Sequence, residues 1–302
     1  MRFRPDFRMS SFTTPQCASD PSERSERLRS ERLTECCKSD NEKVPSSEKA
    51  VSDCRTLIIL GPTGSGKTSV GIEIAKALNG EIVSADSRAI YQGMDIGTAK
   101  PTRKEMQGIP HFGLDLVVPG TRFTVADWKA YAEKKVEEIK SRGHVPIIVG
   151  GTGLYIDALI YDYQFKGPTG AKIGDIEQKS CSDRTEVKGN YLLIGIKWST
   201  PELRARLKTR IDQMFCDDLY AETKKLVQTY GWGNGAMKSD IYEYAWKYLQ
   251  GGLTLDEAKK RCFYEDWHLA KRQLTWFKRN QNIHWLELEK IYPFVLKYIQ
   301  HE

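Results

Sequence analysis

The chain has 302 residues, 40% hydrophobic and 28% charged, with 46 Lys plus Arg against 40 Asp plus Glu and a net charge of +6. That is length for one large or two smaller domains with a sizeable core, and the lack of any run of 18 apolar residues excludes a membrane-spanning helix. Seven cysteines (Cys17, Cys36, Cys37, Cys54, Cys181, Cys216 and Cys262) show no CxxC and no paired-His spacing, so they read as reduced thiols of a cytoplasmic protein rather than as a zinc site.

Residues 1–54 hold ten Ser, ten basic and ten acidic residues, with few aliphatic ones and the near-repeat SERSERLRSERL. Such a stretch cannot bury enough apolar area to offset the entropy of ordering, and a disordered tail is expected. Arg2, Arg4 and Arg8 among Ser and Thr are what a transit peptide would show, but the ten acids oppose that reading. The tail's charges cancel, so the whole excess of +6 belongs to the remainder.

Order should begin at Thr56. TLIIL is a short apolar run of the kind that forms a fully buried parallel strand, and GPTGSGKT follows directly. Gly61, Gly66, Lys67 and Thr68 satisfy G-x-x-x-x-G-K-[ST], with Pro62, Thr63, Gly64 and Ser65 between them. The glycines let the backbone curl tightly enough to aim several N–H groups at one phosphate. Lys67 adds a point charge, Thr68 a hydroxyl for Mg²⁺, and a helix expected from Thr68 to Leu78 turns its positive end to the anion.

The next strand signal, EIVSAD at 81–86, places Asp86 at a carboxyl edge, where open α/β sheets bind ligands. There Asp86 either meets a ligand or merely caps a turn. VPIIVGGTGLY, 145–155, is the best later strand, and it closes on Gly150, Gly151 and Thr152 instead of the metal-holding Asp of a nucleotide hydrolase or kinase. In ELRARLKTRIDQMF, 202–215, Arg206 and Arg210 are spaced i, i+4 on one helix face, as an anion clamp or as a solvated surface. Thr254 and Glu257 form a capping box, from which a helix should run toward Asn280. A wheel puts Phe263, Trp267, Ala270, Leu274 and Phe277 on one side of it and Arg261, His268, Arg272 and Arg279 opposite. Residues 259–279 carry seven basic residues, Lys271 among them, against two acids, a stripe suited to a phosphate backbone or to water.

GPTGSGKT, DSRAIYQGMDIGTAKP, FTVADW, PIIVGGTGLY and AKRQLTWFKR occur in the order of the tRNA dimethylallyltransferase family, which the chain resembles over about residues 56–286. The resemblance implies a P-loop NTPase-like α/β fold, a parallel sheet flanked by helices with a mostly helical C-terminal portion. The expected division is a tail over 1–54, a P-loop core over 55–165, a shortened insertion over 166–190, and core plus RNA-binding helices over 191–302. The implied activity moves a dimethylallyl group from dimethylallyl diphosphate to N6 of the adenosine 3′ of the anticodon. The implied partner is the tRNA anticodon stem-loop, the implied ion Mg²⁺, and a monomer is expected.

Residue by residue, the resemblance makes Asp86 the general base and assigns Thr152 and Arg210 to catalysis at the diphosphate. Residues 61–68 and Arg206 would bind the diphosphate. Asp86, Ser87, Arg88 and Ala89 would meet the tRNA adenine, and Arg261, His268, Lys271, Arg272 and Arg279 the RNA backbone. The family usually carries a helical insertion of several dozen residues after GGTGLY, where only 166–190 stand here. Ala89 replaces a common Gln, and SDIYEYAWKYLQGG keeps Tyr242 but lacks the usual Gly-Tyr-Lys/Arg-Glu core. Prenylation of free AMP, a small-molecule P-loop kinase and a non-catalytic RNA binder are the competing readings.

Overall fold

The computed structural model describes residues 56–165, 186–233, 235–237 and 240–300. The expected tail and most of the 166–190 stretch lie outside them. An unbroken apolar run must be covered on both faces, and TLIIL is β1 (Thr56–Leu60), buried at every position in the middle of a six-stranded sheet. The other strands are β2 (Gly80–Ala85), β3 (His111–Phe112), β4 (Val145–Gly150), β5 (Tyr191–Lys197) and β6 (His284–Glu287). Their order is β3-β2-β4-β1-β5-β6, with every pair parallel.

Two layers of helix cover this sheet. Helices α1 (Lys67–Ala77) and α9 (Leu288–Gln300) lie over the face that carries Leu57, Ile59, Ile82, Ile147 and Ile194, into which Val70, Ile74, Ile291 and Val295 pack. After the four-residue α2 (Arg103–Met106), α3 (Val125–Ser141) and α4 (Gly153–Ile160) cover the opposite face, where Trp128 stacks on Tyr155 at 4.6 Å between ring centres. Beyond the sheet, α5 (Thr200–Met214), α6 (Asp217–Tyr230), α7 (Asp240–Leu249) and α8 (Leu255–Phe277) enclose a separate apolar cluster that includes Met94, Leu219, Met237, Tyr242 and Cys262. Among the described residues no helix is long and apolar enough to cross a membrane.

Register decides where a ligand can sit. Leu60 and Ala85 both pair with Gly150, so β1, β2 and β4 end at one level. The residues that leave the sheet there, Gly61, Asp86 and Gly151, therefore emerge side by side. The expected strand over 145–155 is corrected: it stops at Gly150, because the chain turns at Thr152 into α4. Gly150 has room for no side chain, since a Cβ there would overlap the backbone of Ala85. The capping box at Thr254 is present as expected, and α8 ends at Phe277, three residues short of Asn280.

Candidate active site

The loop after β1 takes its shape from glycine. Gly64 (φ 73°) and Gly66 (φ 86°) occupy the left-handed region, and Gly66 is the N-cap of α1. Lys67 folds back over this loop and donates to the Pro62 carbonyl at 2.6 Å. Burial pushes its ammonium down to about 8; Asp86 opposes the shift and Arg210 adds to it. The three charges thus share one cleft of about 520 Å³, lined also by Thr63, Thr68, Ser87, Arg88, Thr152 and Arg272.

Asp86 stands at the end of β2 as the register requires. Its Oδ1 accepts from the Arg88 N–H at 2.8 Å and from the Ala89 N–H at 3.3 Å. The turn-capping reading is therefore realised through Oδ1, and the same residue lines the cleft. Thr152, at the start of α4, meets the same turn, its Oγ1 accepting from the Ser87 N–H at 3.0 Å. Trp128 secures the strand beneath, donating from Nε1 to the Ser84 carbonyl at 2.9 Å.

Arg206 and Arg210 both meet the loop but on different sides. Arg210 lines the cleft and donates to Thr63 Oγ1. Arg206 donates to the Gly64 carbonyl at 2.9 Å and stacks over Trp198 at 4.6 Å, outside the cleft. Arg206 is itself exposed and braces the loop at Gly64, outside the lining of the cleft. Gly61, Pro62 and Ser65 are buried, with Thr63, Gly64, Gly66, Lys67 and Thr68 lining the cleft. Ala89, expected at the RNA, is 4% exposed; its N–H donates to Asp86 and its carbonyl accepts from the Asp115 N–H at 3.2 Å.

Helix α8 has a third face that a division into apolar and basic sides misses. Leu207 and Leu203 of α5 pack on Ala270, with Trp267 and Leu274 beside them. Arg261, His268, Lys271 and Arg279 point outward and are exposed. Between these faces, Cys262, Asp266, Leu269, Gln273 and Trp276 line the cleft. Arg272, exposed like the other cations of the stripe, also borders the cleft.

Gln273 is the key contact on that face. Its Oε1 accepts from the Thr63 N–H at 2.7 Å and its Nε2 donates to the Gly151 carbonyl at 3.0 Å, fastening α8 to both loops. Trp276 donates to Asp157 Oδ2 at 3.0 Å, and a Cβ on Gly153 would overlap its indole.

The stretch 94–100, which places Gly97, Thr98 and Ala99 at the cleft, is anchored by charges the sequence did not single out. The Glu222 carboxylate accepts from the N–H groups of Asp95, Ile96 and Gly97 at 3.0–3.2 Å and from the Tyr242 hydroxyl at 2.5 Å. Lys100, its side chain 5% exposed, donates to the Tyr91 carbonyl, Asp95 and Asp115 at 2.6–2.8 Å. Of this set, residues 91–100 lie in the DSRAIYQGMDIGTAKP block and Tyr242 in the retained motif, whereas Glu222 and Asp115 lie in none of the quoted blocks.

Comparison with known proteins places this arrangement. The family model described as IPP transferase matches residues 89–182 and 167–280, two pieces that overlap within the 166–190 stretch. The chain belongs to the IPP transferase family. A tRNA dimethylallyltransferase of Staphylococcus epidermidis is 35% identical over 289 residues, covering 78% of this chain and 87% of the relative. One of Acetivibrio thermocellus is 36% identical over 78% of this chain and 92% of its own length.

Among solved structures, the tRNA isopentenylpyrophosphate transferase of Staphylococcus epidermidis superposes on this family member with a TM-score of 0.71 at 32% identity, over 82% of this chain and all of the other. The corresponding protein of Bacillus halodurans gives 0.70 at 31%, over 82% and 97%. The fold of this IPP transferase is thus that of P-loop-like prenyl transferases.

Proposed function

We propose that this chain is a tRNA dimethylallyltransferase, which transfers the dimethylallyl group of dimethylallyl diphosphate to N6 of the adenosine 3′ of the anticodon and releases diphosphate. The observation that carries the reading is the convergence of Asp86, Lys67 and Arg210 on one cleft at the aligned ends of β1, β2 and β4. A kinase reading is disfavoured by Thr152, which stands where a metal-holding acid would end the strand.

The transfer forms a bond from N6 to the allylic carbon and breaks the bond from that carbon to the diphosphate oxygen, which leaves with the electron pair. Negative charge grows on the diphosphate as it departs. The loop N–H groups, Lys67 and Arg210 stabilise that charge where it develops. N6 sheds a proton on attack, and Asp86 accepts it. An exocyclic amine is a weak nucleophile, so holding it in line with the carbon does much of the work. Ser87 and Arg88, on the turn that Asp86 caps, border the space the adenine enters.

The residues present suit Mg²⁺ only as a companion of the diphosphate. Thr68 lines the cleft, yet among the described residues no group of three His, Cys, Asp or Glu is placed to hold a metal. Thr68 would hold the ion together with phosphate oxygens, and the ion would add charge neutralisation at the leaving group.

Labelled dimethylallyl diphosphate incubated with tRNA or with AMP tests the proposal. Label in tRNA is the expected result; label in AMP alone would move the substrate to a free nucleotide. Asp86→Asn should reduce transfer by at least about a hundredfold, as loss of a general base does, while inorganic diphosphate still binds. Undiminished turnover would remove Asp86 as the base.

A further inference from the structure

Asp266 has no part in the transfer described above, yet it is a carboxylate inside the cleft. Its side chain is 18% exposed and lies on the cleft face of α8 with Cys262, Leu269 and Gln273. Across from it, on α5, is Arg210. The closest approach, Arg210 Nη1 to Asp266 Oδ2, is 3.7 Å: within ion-pair range and too long for a direct hydrogen bond. The same nitrogen donates to Thr63 Oγ1. Burial pushes the Asp266 carboxyl up from its ordinary value, and Arg210 draws it back down.

The two helices are firmly seated. Leu203 and Leu207 of α5 pack on Ala270 of α8, and Lys259 pairs with Asp212 at 3.3 Å. The charges therefore face each other across a fixed seam, and only the arginine side chain has freedom to change partners.

A carboxylate set against the arginine of an anion site competes with the anion. The charged groups lining the cleft are Lys67, Arg88, Arg210 and Arg272 against Asp86 and Asp266. Without Asp266 the excess of positive charge would be larger, and a departing diphosphate would be held more tightly.

We propose that Asp266 is the exchange counter-ion of Arg210: it holds the guanidinium while no anion is bound, yields it to the diphosphate, and reclaims it as that product leaves. Asp266 is then a positioning residue that acts through Arg210 and sets the ease of product release. The proposal rests on the diphosphate-binding reading of the cleft given above.

Inorganic diphosphate is the probe, and calorimetric titration of the full chain is the measurement. Asp266→Asn should bind it about tenfold more tightly than the parent, the effect of one carboxylate charge removed at several ångströms in a partly screened site. Asp266→Glu should return affinity to within about threefold of the parent, and in an Arg210→Met background the gain from Asp266→Asn should shrink to less than about threefold. Asp266→Ser, smaller and neutral, serves if the amide disturbs packing.

Unchanged or weaker binding by both neutral variants would overturn the proposal, because an ordinary structural pair predicts that result. A gain that survives intact without Arg210 would overturn it too, since the route through the arginine would be gone. Transfer is not read in this titration, so a failure to prenylate tRNA would count against the proposed activity while leaving this outcome standing. A parent chain that ignores diphosphate would end both.

Discussion

Lys67 should titrate near pH 8 in the free protein and well above that once diphosphate is bound. Its ammonium is folded into the loop against a carbonyl at 2.6 Å, and burial lowers it from 10.5 to about 8. At pH 7.5 about a quarter of the molecules then carry a neutral amine, against about 0.1% for a lysine at 10.5. Acylation consumes only the neutral form, so trace labelling with an acylating reagent, followed peptide by peptide with mass spectrometry across pH, reads the midpoint directly.

Lys134, with a side chain 75% exposed, is the internal reference. The rate advantage of Lys67 will be smaller than the population advantage, because a less basic amine is a poorer nucleophile; the midpoint is the quantity to compare. Bound diphosphate favours the charged form and should raise that midpoint. The sign for stability follows from the same shift. Between about pH 8 and 10.5 the folded chain holds fewer protons at this residue than the unfolded one, so its penalty on folding fades as pH rises through that window. A Lys67 midpoint above pH 10 in the free protein, or one unmoved by diphosphate, would refute the account of the loop.

The remaining predictions concern α8. Gln273→Leu leaves the Thr63 N–H and the Gly151 carbonyl without their partner, at about 1–3 kcal/mol for each group left unsatisfied; a lowered melting temperature checks it, and an unchanged one would detach Gln273 from the loop. Gln273→Glu keeps the acceptor for Thr63 and adds a negative charge beside the anion site, so it should weaken diphosphate binding more than its effect on melting implies. Replacing Arg261, Lys271 and Arg279 together by Ala should flatten the dependence of tRNA affinity on log salt by about two to three units, a little under one for each phosphate that is no longer neutralised. Arg272→Ala should instead raise the KM for dimethylallyl diphosphate, and an equal effect on the salt slope would group it with the outward cations.

Those contrasts show why some of the site was legible in the sequence and some was not. A parallel strand covered on both sides announces itself as a continuous apolar run, and β1 falls on Thr56–Leu60 as read, with β2 displaced by one residue. The loop was equally plain, since Gly66, which the motif requires as glycine, sits at positive φ, as does Gly64 at an open position of the motif. The end of β4 was harder: GGTGLY is apolar enough to extend a strand, yet the chain turns at Thr152 into α4, and residue 150 is held to glycine by the backbone of β2, a neighbour far away in the chain.

The cleft face of α8 has no hydropathic period at all. Cys262, Asp266, Leu269, Gln273 and Trp276 mix apolar, amide and charged chemistry because this face borders the apolar cluster at Cys262 and meets backbone groups of the loops at Gln273. A wheel that sorts by hydropathy can only divide a helix into inside and outside, so it does not separate Arg272, exposed at the border of the cleft, from the other exposed cations. Lys100 and Glu222 defeat it in the same way, being charges whose partners come from Tyr91, Asp95 and Asp115 in one case and from backbone N–H groups more than a hundred residues away in the other. Ala89 is the converse, an apolar residue inside a polar motif whose methyl is buried while its N–H and carbonyl meet Asp86 and the Asp115 N–H. What Lys100, Glu222 and Gln273 share is a polar side chain satisfied by specific partners, which a reading by hydropathy does not register.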